Sequence, residues 1–136
     1  MIARVALCAQ DAARDADTNR ISAFNIYDGI ISEAFPLLLQ NFVFLVILAR
    51  DEGDETPYQG RVEIRLGDNV LVQGAAPIDF QGKRRVRQFI RLGGLVVPTA
   101  GTISARFFAN DIQLAEYQFE IEQRQPTLPQ VEFKPA

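Results

Sequence analysis

The chain has no histidine and a single cysteine, Cys8. Without histidine there is no imidazole base, no Ser–His or Cys–His nucleophile pair, and no zinc site built from histidine and cysteine. One cysteine also rules out an internal disulfide, so nothing points to an oxidising compartment. Long apolar runs are absent as well. The longest, FVFLVILA at 42–49, is eight residues, too short to cross a bilayer as a helix. At the N-terminus VALC has the outline of a lipoprotein cleavage site. However, bulky Leu7 precedes Cys8, and no cationic region leads the short apolar run. The expectation is a soluble, cytoplasmic protein without a membrane segment. Gly93-Gly94 and Gly101 have no helical pattern after them, which excludes a phosphate-cradling loop or a dinucleotide fold.

What is present is ordinary globular composition, 48% hydrophobic and 23% charged, in 136 residues. That length suits one domain with a substantial core. Helical periodicity is scarce, while short β-rich runs recur. The pattern predicts strands at roughly 2–9, 20–27, 42–50, 60–66, 70–74, 84–92, 102–108 and 112–122. RVEIRLGDNVLV reads as a hairpin with Val62, Ile64 and Leu66 inward, and FFANDIQLAEYQFEI as a second hairpin turning at Asn110-Asp111. Residues 10–19 add at most one helical turn. The fold class expected is all-β, an antiparallel two-sheet β-sandwich of about eight strands. The sandwich domain spans 1–123. A proline-rich tail follows at 124–136, where Pro126, Pro129 and Pro135 oppose ladder pairing and Val131 and Phe133 offer something to dock.

Three stretches carry a resemblance: ALCAQDAARDADTNRISAFNIYDGI, AFPLLLQNFVFLVILARDEGD and LVVPTAGTISARFFANDIQLAEYQFEIE. They are similar to an uncharacterised family of small bacterial single-domain β-sandwich proteins, Ig-like or C2-like in outline. The resemblance implies a fold and no activity, because each motif is structural. Sandwiches of this kind often carry a tyrosine two residues after the corner glycine. Ile103 stands there in this chain, so no tyrosine-corner hydrogen bond is expected.

Chemistry concentrates in a few places. GKRRVRQFIRLG, residues 82–93, gathers five cations in a chain of net charge −3. Strand alternation sets Val86, Gln88, Ile90 and Leu92 on one face and Lys83, Arg85, Arg87, Phe89 and Arg91 on the other. Guanidinium forks suit phosphates and carboxylates, and an aromatic among them can stack. The plainer alternative is cross-strand pairing with Glu116, Glu120 and Glu122 of the last strand. An Ig-like strand order would place those acids in the other sheet.

Asp11, Asp15 and Asp17 in the first loop, with Asp51, Glu52, Asp54 and Glu55 after the long strand, are the candidate calcium ligands. Solvated turn chemistry is their ordinary reading, and no spaced calcium motif is present, so no metal and no cofactor is expected. FVFLVILA is apolar on both faces. Phe42, Phe44, Val46 and Leu48 are therefore interface candidates, the outer face needing cover from PLLL at 36–39, the tail or a second subunit. The sequence favours a non-catalytic interaction module with a protein partner and a possible homodimer. The alternatives are a small-ligand or phosphate-binding domain around Arg85 and Arg87, and then a calcium-binding sandwich. An enzyme is not expected, and duplex nucleic acid suits neither the net charge nor the lack of a recognition helix.

Overall fold

A computed structural model describes residues 1–51 and 58–125. Among these residues the chain is all-β with no helix, in eleven strands rather than about eight. All eight predicted strands form. They are β1 (Ile2–Arg14), β2 (Ile21–Ile26), β5 (Phe42–Ala49), β6 (Gly60–Leu66), β7 (Asn69–Ala75), β8 (Arg85–Leu92), β10 (Gly101–Ala109) and β11 (Ile112–Gln123). The unforeseen ones, β3 (Gly29–Ser32), β4 (Leu37–Leu39) and β9 (Leu95–Val97), have three or four residues each. Runs that short leave no periodicity to read.

The strands form a four-stranded sheet in the order β2-β1-β5-β8 and a five-stranded sheet in the order β3-β11-β10-β6-β7. A small β4-β9 pair is separate from both. Pairing is antiparallel except between β3 and β11, which run parallel. The hairpin turns follow their chemistry. Asn110 and Asp111 both take positive φ, 48° and 66°, as a two-residue type I′ turn requires. The β6-β7 hairpin turns at Gly67-Asp68, with Gly67 at φ 57°.

Alternation decides the core. Phe42, Phe44, Val46 and Leu48 of β5 join Val62, Ile64 and Leu66 of β6, Ile103, Ala105 and Phe107 of β10, and Phe119 and Ile121 of β11 in one buried cluster. The four β5 residues are at most 1% exposed, so they are the inner face of the strand and not an interface. The other face of β5 is also covered, and the cover is intramolecular. Val43 and Leu45 pack with buried Ala12 in a second cluster, flanked by Leu7, Ile21, Ile47 and Phe89.

Residues 10–19, read from sequence as at most a helical turn, supply that cover. β1 continues to Arg14, and the far end of the β1-β2 hairpin forms an arm that leans over the outer side of β5 to reach β8. The bend lies where Gln10 faces Asn25. Asn25 takes φ 53°, and its amide nitrogen donates to Gln10 Oε1 at 2.6 Å. Ala9 pairs with Val43, yet Ala12, three residues on, re-enters the cluster on the same side. Strict alternation would have sent it to the opposite face. The proline-rich tail from 126 onward, proposed from sequence as another cover, lies outside the described residues.

Candidate functional site

β8 lies at the edge of the four-stranded sheet, paired only with β5 among the described residues. Val86, Ile90 and Leu92 pack against the main core, so the alternate positions Arg85, Arg87, Phe89 and Arg91 face outward. β11 belongs to the other sheet, where two of its acids find partners. Glu116 takes Arg106 Nε at 2.9 Å, and Glu120 accepts from Thr102. On that same sheet buried Glu63 holds Arg65 at 2.5 Å and Arg61 at 3.4 Å. Arg61, Arg65 and Arg106 are thus matched within the five-stranded sheet, and among the described residues no cation of β8 pairs with Glu63, Glu116 or Glu120.

The outward row of β8 is not uniform. Arg91 is occupied: its guanidinium donates to Asp11 Oδ1 at 2.6 Å and to the carbonyl of Ala12 at 2.6 Å, latching the arm to the sheet. Phe89 is half-buried against the outer cluster with Arg91 over its ring at 5.7 Å. These two belong to the arm's seat. Lys83 precedes β8 and stands in the turn leading to it.

The other end of β8 opens into a groove of about 760 Å³. Arg14 and Asn19 of the arm line one side, and Lys83, Arg84, Arg85 and Arg87 line much of the rest, with Asp79 the only acid among the described lining residues. The turn that delivers these cations is locally determined. Gln81 and Gly82 both take positive φ, 51° and 76°. Asp79 Oδ1 accepts from Gln81 N–H, and Lys83 N–H donates to the Phe80 carbonyl. Arg50 ties the turn down by donating from Nε to the Lys83 carbonyl at 2.7 Å. Phe80, buried beneath it, anchors the turn in the core.

Within the groove, two guanidiniums converge on one neutral oxygen. Arg87 donates to Asn19 Oδ1 at 2.8 Å and Arg14 to the same atom at 3.2 Å. Two like charges meeting at an amide rather than a carboxylate leave net positive potential there. Among the described residues, the side chains of Lys83 and Arg85 make no hydrogen bond or ion pair at all. Arg84 is engaged elsewhere. Arg14 and Asn19 escaped the sequence reading because they lie 68 or more positions from Arg87 in the chain. The only local hint was Asn19 itself, a turn residue suited to its φ of 60°.

The candidate calcium ligands are dispersed. Asp11 is bound to Arg91, and Asp15 caps the arm's turn by accepting from the N–H groups of Asp17 and Thr18. Asp17 is exposed and Asp51 is engaged elsewhere. Glu52, Asp54 and Glu55 lie outside the described residues. Among the described residues no three acidic, histidine or cysteine side chains gather closely enough to hold a metal ion. Cys8 is fully buried, and desolvation pushes its thiol far above the ordinary value.

The arm latch makes a titration prediction. The hydrogen bond from Arg91, then the Ala12 N–H, hold the Asp11 carboxyl below its ordinary 3.8. A carboxylate depressed on folding contributes stability above its unfolded value and loses it as pH falls through the folded one. The latch should therefore be intact at neutral pH and loosen only below the usual carboxylate range. A carboxyl-detected NMR titration should place the Asp11 midpoint below 3.8, and Arg91→Gln should bring it back up. An unchanged midpoint in that variant would show that the pair is incidental.

An all-β chain with an open basic groove at the end of an edge strand is the class that fold and site define. Over residues 4–122 the chain matches DUF6941, a family of unknown function, and it belongs to that family. No curated protein matches it in sequence. No helix among the described residues is long and apolar enough to cross a membrane.

Proposed function

We propose that this protein is a non-catalytic recognition module of β-sandwich, Ig-like or C2-like type, which binds an anionic partner protein through the groove at the start of β8. The observation that carries this reading is the meeting of Arg14 and Arg87 on one amide oxygen, with unpaired Lys83 and Arg85 beside them. A carboxylate or phosphate placed there exchanges a neutral acceptor for a charged one. The present bonds are charge-assisted on the donor side alone; an anion adds Coulomb attraction and can take the guanidinium forks bidentately. Distant acids do not cancel the local field, since screening at physiological salt acts over ~8 Å. Support for a binding role over catalysis comes from the groove's chemistry: its described lining residues bring cations, amides and the Asp79 carboxylate but no nucleophile beside a base. A second reading, a small phosphate-bearing ligand, draws on the same convergence, because two guanidiniums suit a single phosphate.

A fluorescent poly-glutamate peptide, followed by anisotropy at two salt concentrations, tests the proposal. Wild type should bind, more weakly at high salt. The double variant Arg85→Glu, Arg87→Glu should lose about tenfold or more in affinity. Its melting should barely move, since exposed charges contribute roughly 1 kcal/mol or less each. Displacement of the peptide by inorganic phosphate at low concentration would favour the small-ligand reading. Equal binding by the double variant, or no binding by wild type, would sink the groove as the site. Unfolding of the variant would make the arginines structural.

A further inference from the structure

The ladder register of β8 fixes more than which side chains face out. Arg50 N–H donates to the Arg84 carbonyl, so the Arg50–Arg84 pair is of the hydrogen-bonded kind. Pairing continues in unbroken register from Ala49–Arg85 to Phe42–Leu92. Hydrogen-bonded and non-bonded pairs alternate in an antiparallel ladder, so Val86, Gln88, Ile90 and Leu92 direct their backbone groups to β5. The N–H and C=O groups of Arg85, Arg87, Phe89 and Arg91 then point the other way, along the open edge. Among the described residues no backbone group bonds to them.

From this we infer that the β8 edge accepts an extended, acidic segment of a partner protein as a fifth strand, a mode of docking that rests on the anion-binding reading above. Three features of β8 specify that strand. Its backbone groups at four alternate residues are available for main-chain pairing, the source of affinity in strand addition. Val86, Ile90 and Leu92 touch the core but are only half-buried, unlike the fully buried Phe44, Val46 and Leu48 of neighbouring β5. Apolar side chains on the inner face of an added strand would complete their cover. On the outer face, residues opposite Arg85 and Arg87 meet cations, and opposite charges across strands are favourable. The partner segment thus alternates apolar and acidic residues. A second copy of this chain fits poorly, because antiparallel pairing of β8 with itself sets cations against cations. Charged edges are a known defence against self-pairing.

The test uses the full-length protein and a blocked peptide of alternating valine and glutamate. In the free protein, NMR amide exchange should be slow at Val86, Gln88, Ile90 and Leu92 and fast at Arg85, Arg87, Phe89 and Arg91. Saturating peptide should slow the four fast amides by about tenfold or more. A peptide N-methylated at alternate residues on the edge facing β8 should fail to bind. Methylation on the opposite edge should be harmless. If both methylated peptides bind alike and the four amides stay fast, strand addition is wrong while charge recognition in the groove stands. If no acidic peptide binds, both fall. Slow exchange in the free protein that deleting residues 126–136 or diluting the sample abolishes would assign the edge to the chain's own tail or to a second copy, and overturn the proposal.

Discussion

Replacing Phe44 by alanine should lower stability by about 3–5 kcal/mol, the range for emptying a buried phenylalanine site. The ring is 0% exposed, in the centre of β5, and packs in the cluster shared by both larger sheets. Its neighbours belong to paired strands on each side, so the backbone has little room to collapse into the cavity. For a chain of this length the midpoint of thermal melting should fall by about 15 °C. The oligomeric state should not respond, because Phe44 is enclosed by its own chain. The measurement is a melt paired with sedimentation. Dissociation of an oligomer without loss of melting temperature would return Phe44, and with it Phe42, Val46 and Leu48, to a subunit interface.

Gly60→Ala should be nearly as damaging, and for a different reason. A Cβ at this position would lie 1.9 Å from the carbonyl oxygen of Ala76 and 3.0 Å from Ile78 Cγ1. The obstacle is backbone, which cannot rotate away as a side-chain tip can. Ala76 N–H also donates to the Gly60 carbonyl at 2.8 Å, so separating the two segments breaks a hydrogen bond as well. Overpacking in a tight interior costs about 1–3 kcal/mol, and more where backbone must move. We expect about 3 kcal/mol or more, read as a shift in the urea midpoint. The effect reaches the groove too. The segment displaced runs through Ile78 and Phe80, both buried, directly into the turn that presents Lys83 and Arg85. Gly60→Ala should therefore weaken poly-glutamate binding although it touches no cation. A variant with wild-type stability would mean that the close approach at Ala76 is not a real constraint.

The alternation of β-branched and aromatic residues with polar ones, and turn pairs such as Asn110-Asp111, were enough to locate eight strands and two hairpins. These are period-2 and nearest-neighbour effects, which the local chain carries by itself. The same alternation correctly divided β8 into an inner row of Val86, Ile90 and Leu92 and an outer row of cations. It could not say which face of β5 was inner, since Phe42 and Val43 begin two equally apolar rows. That depended on the partner sheet. Nor could it foresee that the arm would fold over β5, because the bend at Gln10 and Asn25 is favourable only where Ala12 and Ile21 find Val43 and Leu45. Arg91 and Arg87 look equivalent in the sequence, two outward arginines four residues apart. Tertiary structure separated them: one meets the carboxylate of Asp11 and is neutralised, the other meets the amide of Asn19 and keeps its charge. Local pattern determines which side chains face outward. Which of them stay unpaired is decided by segments distant in sequence, and only the folded chain brings those segments within hydrogen-bonding range.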